Sequence, residues 1–199
     1  MKKILLVLVA IATVFSLYFA LSACNTNAVR FNKMLSDADE YSFKIQYTDT
    51  SLMSIPVYVQ CFKSKDGYAY RFSKSGYDNP LLSYRQIFID GKRYEIEEAI
   101  ALGLWGGRYK VTENVSAESE ENFIYKYTRM ILDGSYLTML KKGADVDFEG
   151  EECVKFEFPY DGSDLEYIFS KKTHLLKKFS AKNNDGVKTL IYSEYKFED

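Results

Sequence analysis

The sequence predicts an α+β domain in which antiparallel strands dominate, and three observations carry that reading. The chain of 199 residues holds 17 Tyr and 14 Phe beside 3 Pro and one Trp. Broad rings suit the pleated surface of a strand, where Tyr can keep its hydroxyl wet. Short runs of alternating apolar and polar residues recur, divided by turn chemistry such as Asn183-Asn184-Asp185-Gly186. Two other stretches repeat their apolar residues every three or four positions, the period of a helix.

A segment of a different kind stands before all of these. Lys2 and Lys3 precede an almost unbroken apolar run from Ile4 to Ala20, which closes on Leu21-Ser22-Ala23-Cys24. That order is a secretion signal's. Small residues directly before a cysteine resemble the bacterial lipobox, which implies cleavage before Cys24 and a lipid on its thiol. Roughly 18 apolar residues can also span a bilayer, so a retained helix or plain cleavage stays open.

Removing residues 1–23 leaves 176 of the 199, a length that suits one domain. Loss of Lys2 and Lys3 lowers Lys+Arg from 26 to 24 against 28 Asp+Glu, a net charge of −4. Neither sign is concentrated, and no nucleic-acid partner is expected. With Cys24 lipidated, Cys61 and Cys153 remain. An oxidising exterior permits a bridge, but both fall mid-strand, and two separate packing residues is the favoured reading.

Taken in order, Cys24 to Asn27 is lipidated cysteine and short tether, and 28–199 is a single domain. Three extended residues reach roughly 10 Å, so the domain is expected close to the membrane. Phe31, Met34, Leu35 and Ala38 form the buried face of a first helix, ended by Asp37 and Asp39. Then the period becomes two. Tyr41–Thr48 is a strand, Thr50–Pro56 a loop, and Val57–Lys63 the next strand. Lys65-Asp66-Gly67 turns the chain into Tyr68–Ser73, and Lys74–Pro80 is a longer loop. Leu82–Asp90 and Lys92–Glu97 form a hairpin. Glu98–Gly107 breaks the rhythm as a short helix or lid, followed by a brief strand at Arg108–Thr112.

The second helix is expected after Ser116 as N-cap, with Glu118, Glu120 and Glu121 at the positive end of its dipole. Phe123, Ile124, Tyr127, Met130 and Ile131 make its stripe, and Asp133-Gly134 stops it. Ser135–Lys142 reads as a further helical turn ended by Gly143 or as a strand, the helix being favoured. Strands return at Val154–Tyr160, Leu165–Phe169, Leu175–Lys182 and Val187–Phe197. The order is helix, meander, helix, meander.

Three hairpin signatures carry a resemblance: Ile89-Asp90-Gly91-Lys92-Arg93-Tyr94, Glu149-Gly150-Glu151-Glu152-Cys153-Val154-Lys155-Phe156, and Tyr167 through Lys177. Over roughly Glu40–Glu198 the chain resembles the lipoprotein carrier family, the LolA- and LppX-like half-barrels. The resemblance implies a curved antiparallel sheet wrapped around two or three helices, with a concave face able to hold acyl chains. A chain lipidated at Cys24 cannot shuttle, so a fixed binder is implied.

Catalytic chemistry finds little purchase. The only His, His174, sits in a turn without a G-x-S-x-G anywhere, and reads as a solvated turn residue. Asp145-Val146-Asp147-Phe148-Glu149-Gly150 imitates the first half of a calcium loop. Cys153 takes its ninth position, however, and Phe156 its twelfth, where a bidentate Glu is needed. Alternating acids also describe the wet face of a strand. No enzyme, metal or other cofactor is expected. Two function classes remain: an envelope lipoprotein binding a lipid or other apolar ligand in its sheet, or a surface interaction lipoprotein with a filled core and an envelope protein partner. Two apolar loops, Leu52–Ile55 and Ala99–Trp105, are expected either to fold back onto the helices as plugs or to rim the open end and touch lipid or a partner, through Leu52, Met53 and Ile55 and through Leu102, Leu104 and Trp105.

Overall fold

The computed structural model describes residues 26–51, 53–73, 76–77, 82–89, 92–101, 104–113 and 143–198. One helix, α1 (Thr26–Asp37), leads into a meander of six strands. These are β1 (Glu40–Asp49), β2 (Met53–Lys63), β3 (Gly67–Ser73), β4 (Leu82–Ile89), β5 (Lys92–Ala101) and β6 (Leu104–Thr112). A second meander follows: β7 (Ala144–Phe148), β8 (Glu151–Tyr160), β9 (Ser163–Ser170), β10 (Leu176–Asn183) and β11 (Gly186–Glu198). All neighbours pair antiparallel in one open sheet of order β6-β5-β4-β3-β2-β1-β11-β10-β9-β8-β7. The first and last strands therefore meet in the middle, from Glu40↔Glu198 to Asp49↔Lys188.

Period-2 alternation puts one apolar face of the second meander and of β1–β3 on the same side. Directly paired residues share a face, and one row crosses six strands as Val57, Tyr47, Leu190, Phe179, Tyr167 and Phe156. Onto this side α1 lays Ala28, Phe31 and Leu35, with Ala38 directly after it, all buried. The Phe31 ring meets Phe169 and Tyr195 edge-on, each with centroids 5.9 Å away. Burying a side chain of that size contributes about 1.5–3 kcal/mol by transfer from water.

A bulge keeps that face apolar to the end of β11. Ser42 pairs with Lys196 but Lys44 with Ser193, so β11 carries an extra residue, and Glu194 takes a φ of 51°. After Leu190 and Tyr192 the next inward residues are thus Tyr195 and Phe197, in place of Glu194 and Lys196. Tyr195 lies 5.4 Å from Phe43 between ring centroids and stacks on Tyr192 at 6.5 Å. Glu194 turns outward to Lys44, at 2.6 Å.

Several expectations are corrected. The α+β class with two or three helices is overturned: the described structure is an eleven-stranded antiparallel sheet with a single 12-residue helix. The stripe from Phe123 to Ile131 and Ser135–Lys142 lie outside the described residues. Thr26 and Asn27 open α1 and are not tether. Within the apolar segments read as a loop and a lid, residues 53–56, 98–101 and 104–107 are strand. Tyr47 pairs with Val57 and Asp49 with Met53, so Ser54, Ile55 and Pro56 bulge past Thr48, where a proline without an N–H is tolerated. Ala99–Trp105 is apolar throughout because two strands meet there, Ala101 pairing with Leu104.

The calcium-like acids form β7 and its turn. Glu149 and Gly150 both have positive φ, 54° and 79°, and the Gly150 N–H donates to Asp147 Oδ1 at 3.0 Å. Among the described residues no group of three or more His, Cys, Asp or Glu is placed to hold a metal. Cys61 and Cys153 are buried free thiols, five strand spacings apart across the sheet, roughly 24 Å.

Candidate functional surface

Phe88 of β4 still packs on the helix-bearing face against Tyr70, but on β5 and β6 the apolar character changes sides. On the helix-bearing face, pairing runs from Phe43 through Cys61 and Tyr70 to Gln86, Glu95 and Lys110. The first three are buried and aromatic or apolar; the last three are polar. Glu95 joins Arg93 at 3.2 Å and Lys110 at 3.9 Å. On the outer face, the matching row runs from Ser42 through Phe62, Ala69, Ile87 and Tyr94 to Val111. Phe62 is 47% exposed, Val111 38% and neighbouring Ile89 37%.

Part of that row lies in a groove of about 420 Å³, with Phe62, Ala69, Ile87 and Ile89 as apolar lining and Lys196 and Glu198 among its charged residues. Gly67 belongs here for a steric reason. A Cβ at this position would stand 1.8 Å from the Phe88 carbonyl oxygen, so only glycine permits β3 and β4 this approach.

The sheet has two ends, each with its own polar cluster. At one end the β9–β10 turn meets the start of α1. His174, with φ 62°, places Nδ1 2.5 Å from Asn27 Oδ1 and Nε2 2.6 Å from an Arg30 guanidinium nitrogen. A guanidinium only donates, so Nε2 accepts from Arg30, and Nδ1–H donates to Asn27. Burial, then the Arg30 charge, lowers the His174 pKa and keeps the ring neutral. His174 sits in the expected turn, half-exposed, with both ring nitrogens bonded to α1 side chains. Beside it, the Ser170 hydroxyl donates to Glu151 and accepts from the Thr173 N–H at 2.9 Å. Glu151 also pairs with Lys177 at 2.6 Å, and these two partners hold its carboxyl below the usual range.

At the other end Asp49 is buried, 4% exposed. It accepts from the Ser51 hydroxyl at 2.6 Å, the Ser51 N–H at 3.0 Å and the Tyr47 hydroxyl at 3.0 Å. Burial works to raise its pKa, but those donors and Lys188 outweigh it, and the net direction is down. Burial and the Asp49 carboxylate push the Tyr47 hydroxyl well up.

The candidate rim residues lie at this same end. Met53, opposite Asp49, and Ile55, 54% exposed, open β2, while Leu104 and Trp105 open β6 opposite Ala101 and Ile100. Three strands separate the two segments, which puts them roughly 19 Å apart along the sheet. Leu52, Leu102 and Cys24 lie outside the described residues. The outer row and the His174 contacts escaped sequence reasoning. Alternation in β4 and β5 was visible, but which face looks outward is fixed only by pairing.

No protein-family model matches the sequence, and no curated protein matches it. Among solved structures, the chain is similar to MucB of the Pseudomonas aeruginosa MucA/MucB complex, at 14% identity over 86% of this chain and 57% of that one, with a TM-score of 0.43. It is similar to PNGF-II at 9% identity, covering 81% of this chain and 29% of that one, with a TM-score of 0.35. A LolA superfamily protein from Nitrosomonas europaea is also a neighbour, at 7% identity, 88% and 94% coverage and a TM-score of 0.33. This chain thus spans little more than half of MucB and under a third of PNGF-II. At such identities and TM-scores the likenesses carry no functional weight. No helix among the described residues is long and apolar enough to cross a membrane.

Proposed function

We propose that this protein is an interaction module of the bacterial cell envelope, lipid-anchored through Cys24, that binds an apolar surface of an envelope partner along the outer face of β2–β6. The observation that carries the proposal is the outer row from Phe62 to Val111 on the face away from α1, with Phe62, Val111 and neighbouring Ile89 exposed and Ala69, Ile87 and Tyr94 half-buried between them. A row of this kind is what an interface core looks like before it is covered. The helix-bearing face supports an acyl-chain trough less well. Its apolar half is filled by Phe31 and Leu35 from α1, and Arg93, Glu95 and Lys110 make its other half charged. The anchor rests on the run that ends at Cys24. No catalytic role is assigned.

A photo-crosslinking side chain placed at Val111 in cells tests the surface, with Lys182, exposed on β10, as control. A discrete protein adduct from Val111 and none from Lys182 is expected. If Val111 gives no protein adduct while native mass spectrometry of the cell-purified protein shows a retained lipid, the ligand-binding reading takes its place. The anchor is tested separately: Cys24→Ala should abolish incorporation of a labelled fatty acid and leave residues 1–23 attached.

A further inference from the structure

We infer that the domain stands on the bilayer with the end of its sheet that carries turns 64–66, 149–150 and 171–174 against the lipid headgroups, and with the Asn183–Gly186 turn pointing away. The inference rests on the Cys24 anchor proposed above. Cys24 is two residues from Thr26, the first residue of α1, so at most about 7 Å of chain separates the lipid from the helix. That helix start is fixed to the sheet. Ala28 and Phe31 are fully buried, and Asn27 and Arg30 both bond to His174 in the 171–174 turn.

The far end of α1 returns to the same end of the sheet. It passes through Asp39, paired with Lys65 at 2.7 Å, into Glu40, which faces Glu198. A 12-residue helix is roughly 18 Å long, enough to cross the strands from β9 to β1 without running along them. The anchor therefore has no path to the other end. From Leu176 to Asn183, β10 alone carries the opposite turn about 25 Å away.

The three turns brought to the membrane are polar and of mixed sign. Lys65, Asp66, Glu149, Lys172 and Thr173 are exposed there, and Lys171 pairs with Asp145 at 2.8 Å. Such a surface suits zwitterionic headgroups and needs no anionic lipid, because the anchor supplies the attraction. The outer-face groove opens at this end too, between Gly67, Ile89 and Glu198, so a partner on that face is met next to the bilayer. The rim residues Met53, Ile55, Leu104 and Trp105 are held away from it.

The test uses the lipidated full chain in phosphatidylcholine vesicles doped with a nickel-chelating lipid. Spin labels are placed singly through Asp66→Cys, Lys172→Cys and Asp185→Cys, Cys61 and Cys153 being buried. Intact mass first establishes the acyl group on Cys24, and its absence overturns the anchor and this inference with it. With the acyl group present, the labels at 66 and 172 should relax strongly and that at 185 should match nickel-free vesicles. A flat or inverted pattern overturns the orientation alone. Adding phosphatidylglycerol should leave the pattern unchanged, and a pattern that needs it points to charge and overturns the inference. A flexible Gly/Ser insert of about 12 residues between Asn25 and Thr26, reaching roughly 20 Å, should level the three labels. A gradient that survives the insert overturns the role of the short tether.

Discussion

The Tyr195 hydroxyl donates to the Leu176 carbonyl oxygen at 2.7 Å and so ties two strand irregularities together. Tyr195 faces inward only because of the bulge at Glu194, and Leu176 opens a register shift between β9 and β10. Burial raises the phenol pKa well above its ordinary value, in keeping with a hydroxyl that stays protonated and donating. Tyr195→Phe keeps the ring against Phe31 and Phe43 and removes one donor, so a loss of about 1–3 kcal/mol is expected in urea denaturation. Tyr195→Ala should cost about 3–5 kcal/mol. Equal losses would mean that the ring packing contributes nothing.

His174 should make the docking of α1 sensitive to acid. Its folded pKa lies below the unfolded one, by burial and then by Arg30. Stability from the neutral ring is therefore complete above the unfolded pKa of about 6.5 and is lost as pH falls through the folded value. Protonation would put a second cation against Arg30 and remove the acceptor at Nε2. Protection of the α1 amides from hydrogen exchange, taken relative to the intrinsic rate at each pH, should fall between pH 7.5 and 5 in the native chain. In His174→Asn, a residue that tolerates the positive φ, that dependence should vanish.

The carboxylates act in a lower window. Asp49 and Glu151 have folded pKa values below their ordinary ones, so their contribution is present above the unfolded value of about 4 and is lost as pH falls further. Asp49→Ala strips three donors of their acceptor at neutral pH, and a loss of about 1.5–3 kcal/mol is expected. Its urea midpoint should also respond less to acid than that of the native chain.

Phe31 and Val29 separate the two faces of α1. Phe31 is fully buried and Val29 is 46% exposed. Phe31→Ala should cost about 3–5 kcal/mol, whereas Val29→Ala should stay within about half a kcal/mol. Comparable losses from the two would place the helix differently on the sheet.

Legibility followed locality. Tyr41–Thr48 and Val187–Phe197 were readable as strands because their alternation is local, and Asn183-Asn184-Asp185-Gly186 because its turn chemistry is. Phe31, Leu35 and Ala38 were readable as a buried stripe for the same reason. Ile55–Pro56 and Ala99–Trp105 were misread because a bulge and an apolar hairpin end lack the polar punctuation that marks a strand boundary. His174 carried no local sign of Asn27 and Arg30, which lie far away in sequence. The outer row was hidden for another reason: Phe62, Ile87 and Val111 each sit in an unremarkable strand, and only the register aligns them.

The meeting of β1 and β11 at the centre of the sheet has a kinetic consequence. Each meander grows by hairpins between neighbours, which close quickly, but the seam joins the first strand to the last. That step has the greatest loop-closure cost and is expected to be slow. A chain emerging N-terminus first would hold β1 as an open edge, with Phe43 and Ile45 uncovered, until β11 arrives. Deleting β11 should leave two hairpin stacks that associate with other copies instead of a smaller native sheet. Adding β11 is then the event that converts an aggregation-prone edge into a buried seam, where Ile45 and Leu190 are fully covered.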